Sequence, residues 1–169
     1  MIIKEVDYRV ATLFLQKWHY SPIIPKLTKH WLGCYVDDEL VGVLSLGWGT
    51  RPKHTIQVLF PELTSADYFE IGKMAMTDDM PKNSESQMLS LVIKWIRQHL
   101  RIRYLFTWAD GIVGKVGYVY QSANFLYGGF SETDLYVTEN GEKVHPLSLI
   151  HISEPTRPLY ISYAVFCLK

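Results

Sequence analysis

The chain has 169 residues, 48% apolar and 20% charged, which fits one globular domain with a single core and excludes a disordered segment. Its 17 Lys and Arg balance 17 Asp and Glu, and a net charge of zero does not suit a tight, sequence-independent nucleic-acid binder. Two cysteines make no disulfide scaffold, no apolar run nears the roughly 20 residues of a membrane span, and Met1-Ile2-Ile3-Lys4-Glu5 has no secretory pattern, so a soluble cytoplasmic protein is expected.

Residues 2–7 predict a short strand. From Tyr8 to Tyr20, apolar residues recur at 10, 14 and 18 and at 11, 15 and 18, which predicts an amphipathic helix ending before Ser21-Pro22. HWLGCYV (30–36) and ELVGVLSLGWG (39–49) read as a β-hairpin turning at Asp37-Asp38. Residues 50–67 are loop-like, and YFEIGKMAM (68–76) is the next strand. Ser84 and Gln87 form a capping-box pattern that opens a helix to about residue 100. Its apolar face is Met88, Leu89, Val92, Trp95, Ile96 and Leu100, with Ser90, Lys94, Arg97, Gln98 and Arg101 facing water. YLFTWA (104–109) is almost wholly apolar and predicts an inner strand. A glycine-bearing loop follows, then a helix over about 117–127 ended by Gly128-Gly129, then a hairpin over 133–145 turning at Asn140-Gly141. The order β-α-β-β-β-α-β-α-β-β predicts an α/β (α+β) mixed sheet with helices on its faces.

The tail differs from everything before it. LSLIHISEPTR (147–157) and ISYAVFCL (161–168) resemble the in-frame translation of a transposase-type sequencing adapter and its flow-cell primer, with Pro158-Leu159-Tyr160 as the index between them. The expected organisation is one domain over 1–146, truncated at its C-terminus, followed by an adapter-derived segment that makes few specific contacts with it. Setting aside Glu154, Arg157 and Lys169 lowers Lys+Arg to 15 and Asp+Glu to 16, a net charge of −1, and leaves Cys34 as the one cysteine.

Ligands of open α/β sheets bind beyond the carboxyl ends of inner strands. TDDMPKNSES (77–86) and DGIVGKVG (110–117) occupy such positions. Asp110 closes the inner strand, and Tyr120 lies on a helix stripe that can point back over the strand ends; together they can orient an amine or take its proton. They also read as a turn residue and a half-buried aromatic. His19 and Tyr20 end the first helix, as a solvated terminus or as proton carriers. With Asp110 and Tyr120 they would make a nitrogen and oxygen set that suits iron better than a thiophilic metal. The helix at Ser84 offers an anion site that Lys82 would help and Asp78 and Asp79 would oppose. Cys34, mid-strand, reads as core. Lys26, Lys29 and His30 in one loop, and Arg51, Lys53 and His54 in another, are candidate phosphate contacts or plain solvated charges.

Four segments in order, HYS (19–21), EIGKMAMTDDMPKNSES (70–86), WADG…GKVGYVYQSANFLYGG (108–129) and GEKVHP (141–146), resemble the Mom family of phage DNA-modification proteins, which is related to the GNAT acyltransferases. The resemblance spans roughly residues 18–146. It implies a GNAT-like fold and a transferase acting on adenine N6 of double-stranded DNA, giving a methylcarbamoyl-type product that protects phage DNA from restriction in the host cytoplasm. It places functional positions at His19, Tyr20, Ser84, Ser86, Asp110 and Tyr120, and the GNAT kinship implies an acyl-CoA-type donor. On that hypothesis the helix start at Ser84 and Ser86, with Lys73 and Lys82, is expected to hold the donor, and the charged loops with Lys26, Lys29, Arg51 and Lys53 are expected to meet DNA phosphates. The family usually carries arginine where this chain has Lys73, and the usual GNAT pyrophosphate loop is lacking. A GNAT acylating a small amine or a protein, and a non-catalytic DNA-binding module, are the other readings of the same residues.

Overall fold

The computed structural model describes residues 1–21, 23–49, 52–110, 116–137, 143–144 and 157–168, with the backbone alone from residue 130 onward. The elements run β1 (Ile2–Glu5), α1 (Tyr8–Trp18), β2 (Thr28–Val36), β3 (Glu39–Gly47), a 3-10 turn (Pro52–His54), α2 (Ile56–Leu59), β4 (Tyr68–Met76), α3 (Ser84–His99), β5 (Tyr104–Asp110), α4 (Tyr118–Ser122), β6 (Leu126–Val137), β7 (Lys143–Val144) and β8 (Arg157–Leu168). They form one mixed sheet of order β1-β2-β3-β4-β5-β8-β6-β7, in which the β4–β5 pair is parallel. The mixed α/β architecture expected from the element order is therefore present.

Hydrophobic alternation explains the layering. Leu32, Leu44, Leu46, Ile71 and Leu105 face Met88, Leu89, Val92 and Ile96 of α3. On the other face, Val43 and Ala75 pack against Ala11 and Leu15 of α1, and Tyr68 and Phe106 pack against Ile56 and Leu63. Leu44 is fully buried, so truncating it to alanine should cost about 2–5 kcal/mol. The β2–β3 turn has positive φ at both Asp37 (49°) and Asp38 (64°), the backbone of a type I′ hairpin.

β4 carries the irregularity that matters most. Leu46 pairs with Ile71 but Ser45 pairs with Lys73, so Gly72 is an extra residue, a β-bulge. The bulge resets the alternation. Glu70 before it and Lys73 after it both lie on the α1 face, although three residues apart. The buried Ser45 Oγ accepts the Lys73 backbone N–H at 2.8 Å. A Cβ at residue 72 would crowd Pro25 Cγ at 3.0 Å and Ser45 Oγ at 3.1 Å.

Four expectations are corrected. Asn83, in the left-handed conformation at φ 72°, is the N-cap of α3 without a side-chain cap bond, and Ser84 is the first helical residue, buried at 2% exposure. The helix expected over 117–127 is only Tyr118–Ser122; Asn124 turns left-handed at φ 64° and β6 begins at Leu126, so Gly128-Gly129 lie within a strand and Leu126 is exposed. Lys29 and His30 are strand residues, with His30 bonded to Glu5 at 2.8 Å and edge-on to Phe69 and Trp95. The tail was expected to make few contacts, yet β8 pairs antiparallel with β5 over Leu105–Asp110 and with β6 over Leu126–Val137. An inner strand end such as 104–110 leaves backbone groups that any extended segment with β character can satisfy. Cys34 is fully buried as expected, and burial pushes its thiol pKa up. Among the described residues no helix is long and apolar enough to cross a membrane.

Candidate active site

β4 and β5 pair in parallel from Tyr68/Tyr104 to Ile71/Thr107, and their paired register ends there. Residues 70–76 and 108–110 then line the two sides of a cleft of about 940 Å³, at the upper end of the roughly 300–1,000 Å³ of ligand sites. Its position is the one expected for an open sheet, beyond the carboxyl end of an inner parallel strand.

The end of α1 supplies one wall. His19 caps the helix with its N–H on Leu15 O at 2.8 Å, and its extended backbone turns the chain out of the helix. His19 Nδ1 accepts the Ser21 N–H at 3.0 Å, and the His19 and Tyr20 rings stack at 4.3 Å. Tyr20 then reaches across the cleft and donates its hydroxyl to Asp110 Oδ2 at 3.0 Å. Lys73 stands among them, with Nζ 3.5 Å from His19 Nδ1, 3.4 Å from Ser21 O and 5.7 Å from the Tyr20 ring centre. Burial lowers the Lys73 pKa, and the Asp110 carboxylate partly opposes that. Burial, then the Lys73 charge, lowers His19 from 6.5 to about 4, so its imidazole is neutral at pH 7.

Glu70 was not singled out from the sequence, yet it is the most perturbed carboxyl here. It lines the cleft at 7% exposure. Burial raises its pKa from 4.5 to about 7, against a hydrogen bond from the Trp108 side chain that lowers it. Gly49, at φ 69°, makes its space, because a Cβ there would meet both carboxylate oxygens. The available signal was a charged residue on the inward beat of an otherwise apolar strand, YFEIGKMAM.

Tyr120 approaches from the other face of the sheet. It packs against the α3-side core and its ring lies 5.9 Å from Phe125. Burial raises its phenol pKa, which a hydrogen bond with the Thr107 side chain partly offsets. Thr107 and Asp110 are three apart on β5, so Tyr120 and Tyr20 address opposite faces of that strand, and both line the cleft. Gly117, at φ 75°, starts α4 in a conformation that glycine adopts without strain. Gly111 and Gly114 lie outside the described residues.

The α3 start forms the far end. Lys82, Asn83, Glu85 and Ser86 line the cleft, and Ser86 Oγ lies 2.7 Å from Ser122 Oγ of α4. Ser84 is not among the lining residues, and Lys73 stands with His19 and Tyr20 rather than with this helix end. Lys26, Lys29 and Lys53 are exposed, as phosphate contacts must be, and Arg51 lies outside the described residues.

As arranged, His19, Tyr20, Asp110 and Tyr120 do not fit a metal as one donor set. His19 Nδ1 is engaged by the Ser21 amide, the Lys73 ammonium occupies the cation position beside it, and Tyr120 bonds Thr107 on the other face. Among the described residues no group of three or more His, Cys, Asp and Glu side chains gathers as metal ligands.

Comparison with known proteins places this geometry in context. The Mom protein family model matches residues 1–164. The chain is 31% identical over 148 residues to the methylcarbamoylase Mom of Escherichia phage Mu, a match covering 87% of this chain and 61% of that protein's length. Among solved structures, it resembles a Bacillus subtilis acetyltransferase in complex with CoA, with TM-score 0.56, 14% identity and coverage of 99% and 97% of the two chains. It also resembles a GNAT family acetyltransferase from Elizabethkingia anophelis with acetyl-CoA bound, with TM-score 0.52, 14% identity and coverage of 99% and 96%. These likenesses establish a GNAT-like fold.

Proposed function

The chain belongs to the Mom protein family, and on that premise we propose that it is a transferase modifying the N6 amine of adenine in double-stranded DNA. The product would be of the methylcarbamoyl type, protecting phage DNA from restriction in the host cytoplasm. The observation that carries this reading is the Tyr20–Asp110 hydrogen bond, 3.0 Å across the cleft, with the buried Glu70 on the same sheet face.

An acyl-CoA-type cosubstrate would supply an acyl carbonyl and a thiol leaving group, so the transfer yields an N6-acyl adenine and a free thiol, and the nitrogen of a methylcarbamoyl-type group would have to enter from a second donor. The α3 start fits its anionic part, since this 16-residue helix has no side-chain N-cap bond and Lys82 and Ser86 stand beside it. Asp110, oriented by Tyr20, accepts a hydrogen bond from the adenine amine. Glu70, with a pKa of about 7, takes the proton that N6 loses as the N–C bond forms. Tyr120, kept protonated by burial, gives its proton to sulfur as the C–S bond breaks. The target base must leave the stack to bring N6 into the cleft.

A second reading is favoured by one observation. The cleft lining holds four carboxylates, Glu70, Asp78, Glu85 and Asp110, against two lysines, Lys73 and Lys82, which suits a small cationic amine better than a phosphate backbone. Nucleoside mass spectrometry of DNA incubated with the protein and candidate thioesters separates the two. A new adenosine derivative, absent with Asp110→Ala, supports DNA modification; thioester turnover on polyamines without DNA, and an unchanged adenosine profile, supports the second reading.

A further inference from the structure

Beside the cleft, on the same face of the sheet, lies a smaller pocket of about 310 Å³ lined by Tyr8, Ile24, Pro25, Lys26, Thr28 and Trp31. Its size is at the low end of the range for ligand sites. Its chemistry differs from that of the cleft. The lining holds two aromatic rings, an apolar wall and one ammonium, and no carboxylate. Tyr8 is held edge-on to Trp31, with ring centres 5.6 Å apart and planes at 71°, while remaining 57% exposed.

The pocket is pre-formed. Thr28 Oγ1 donates to Pro25 O at 2.9 Å, and the Trp48 backbone N–H donates to Leu27 O at 3.1 Å. The Leu27 carbonyl presses so closely on Gly47 that no Cβ could fit there. Such a wall need not be ordered when a ligand binds, which lowers the cost of binding.

Its position ties it to the cleft. Trp31, Ser45 and Lys73 are register partners across β2, β3 and β4, so their side chains share one face. At roughly 4.8 Å per strand, the Trp31 and Lys73 backbones are about 10 Å apart. Pro25 lies over Gly72 between them and forms a wall of the pocket.

We propose that the Tyr8–Trp31 pocket is a base-stacking subsite. It takes an unpaired nucleobase of the strand whose modified base enters the cleft, a few nucleotides away, with that nucleotide's phosphate against Lys26. Stacking on aromatic faces beside a cation is the general way proteins hold single-stranded nucleic acid. The subsite rests on the DNA reading above and adds a preference for a locally unpaired substrate.

The test uses fluorescein-labelled single-stranded oligonucleotides with one adenine, intact or with an abasic position placed at each of several neighbouring sites. Anisotropy should show one abasic position that weakens binding to the unmodified chain by roughly 5- to 150-fold, the worth of one stacked base. Tyr8→Ala should lose a similar factor on the intact strand and then be indifferent to that abasic position, while Tyr8→Phe keeps both affinity and discrimination. Tyr8 is exposed and helical, so alanine there preserves the fold. DNA binding and modification that Tyr8→Ala leaves unchanged would overturn the subsite alone. No binding of the unmodified chain to any oligonucleotide would overturn the subsite and the DNA reading together.

Discussion

The hydroxyl of Tyr20 meets the carboxylate of Asp110 at 3.0 Å, although 90 residues separate them in the chain. One comes from the end of α1 and the other from the end of β5, so the bond spans the mouth of the cleft. A hydrogen bond to a charged group is worth about 1.5–3 kcal/mol. Tyr20→Phe should therefore slow modification by roughly 10- to 150-fold while leaving the melting temperature within a few degrees. Asp110→Ala should abolish product. Unchanged single-turnover rates in Tyr20→Phe would remove this pair from the chemistry.

Glu70 should make both stability and activity pH-dependent. Its carboxyl is raised from 4.5 to about 7 in the fold, so its contribution to stability is fully present below about 4.5 and is lost as pH rises through about 7. Glu70→Gln should remove that slope, with a gain over the parent at pH 8 of up to roughly 3 kcal/mol relative to pH 4. Denaturant titrations at the two pH values measure it. Turnover should rise with pH through about 7 in the parent and collapse in Glu70→Gln. Gly49→Ala should destabilise by about 1–3 kcal/mol, because φ is 69° and the added Cβ meets the Glu70 carboxylate.

His19 and Lys73 form a coupled pair whose sign is testable by NMR. His19 titrates at about 4 because burial and the neighbouring ammonium both disfavour imidazolium. Unfolded, it would take a proton near 6.5, so this group draws stability down as pH falls from about 6.5 to about 4. Lys73→Met removes the second cause and keeps the first. Its His19 ring signals should titrate above the parent value yet still below 6.5. An unchanged midpoint would show that the ammonium does not act on the ring.

β8 is the strand that joins β5 to β6, and it lies within the segment resembling translated adapter sequence. If that segment is foreign, its specific side chains are dispensable and its backbone is not. A chain ending at Pro146 should melt lower and aggregate, because β5 and β6 lose their pairing. A chain whose 157–168 segment is replaced by another alternating strand of equal length should regain the melting temperature. Loss of folding with every replacement would make the native side chains of β8 essential and count against a foreign origin.

Periodicity was enough for the large elements. The α1 and α3 stripes, the Asp37-Asp38 hairpin and the apolar run at 104–109 each carry a repeat long enough to read. It failed where one residue decides the outcome. α4 ends at Ser122 because the chain turns left-handed at Asn124, a choice no apolar repeat records. The helix stripe lets Tyr120 point back over the strand end at Asp110, but which face of β5 each reaches depends on where β5 begins and how α4 crosses it. Glu70 was passed over because the extra residue at Gly72 hides that Glu70 and Lys73 share a side.

The extra residue Gly72 bends the strand without deciding which of its later side chains face which way. Removing Gly72 would leave Ile71 opposite Leu46 and Lys73 opposite Ser45, so the alternation would run on unbroken and both sides of the strand would keep their side chains. The strand would instead lose the bend and added twist that a bulge brings, and Glu70 and Lys73 would close up to the ordinary two-residue spacing along the cleft wall. Side chains around the cleft can be altered one at a time, but the residue count between Glu70 and Lys73 is a discrete quantity. Shortening that interval by one would keep every side chain on its own face and change the distance between the carboxyl and the ammonium in a single step.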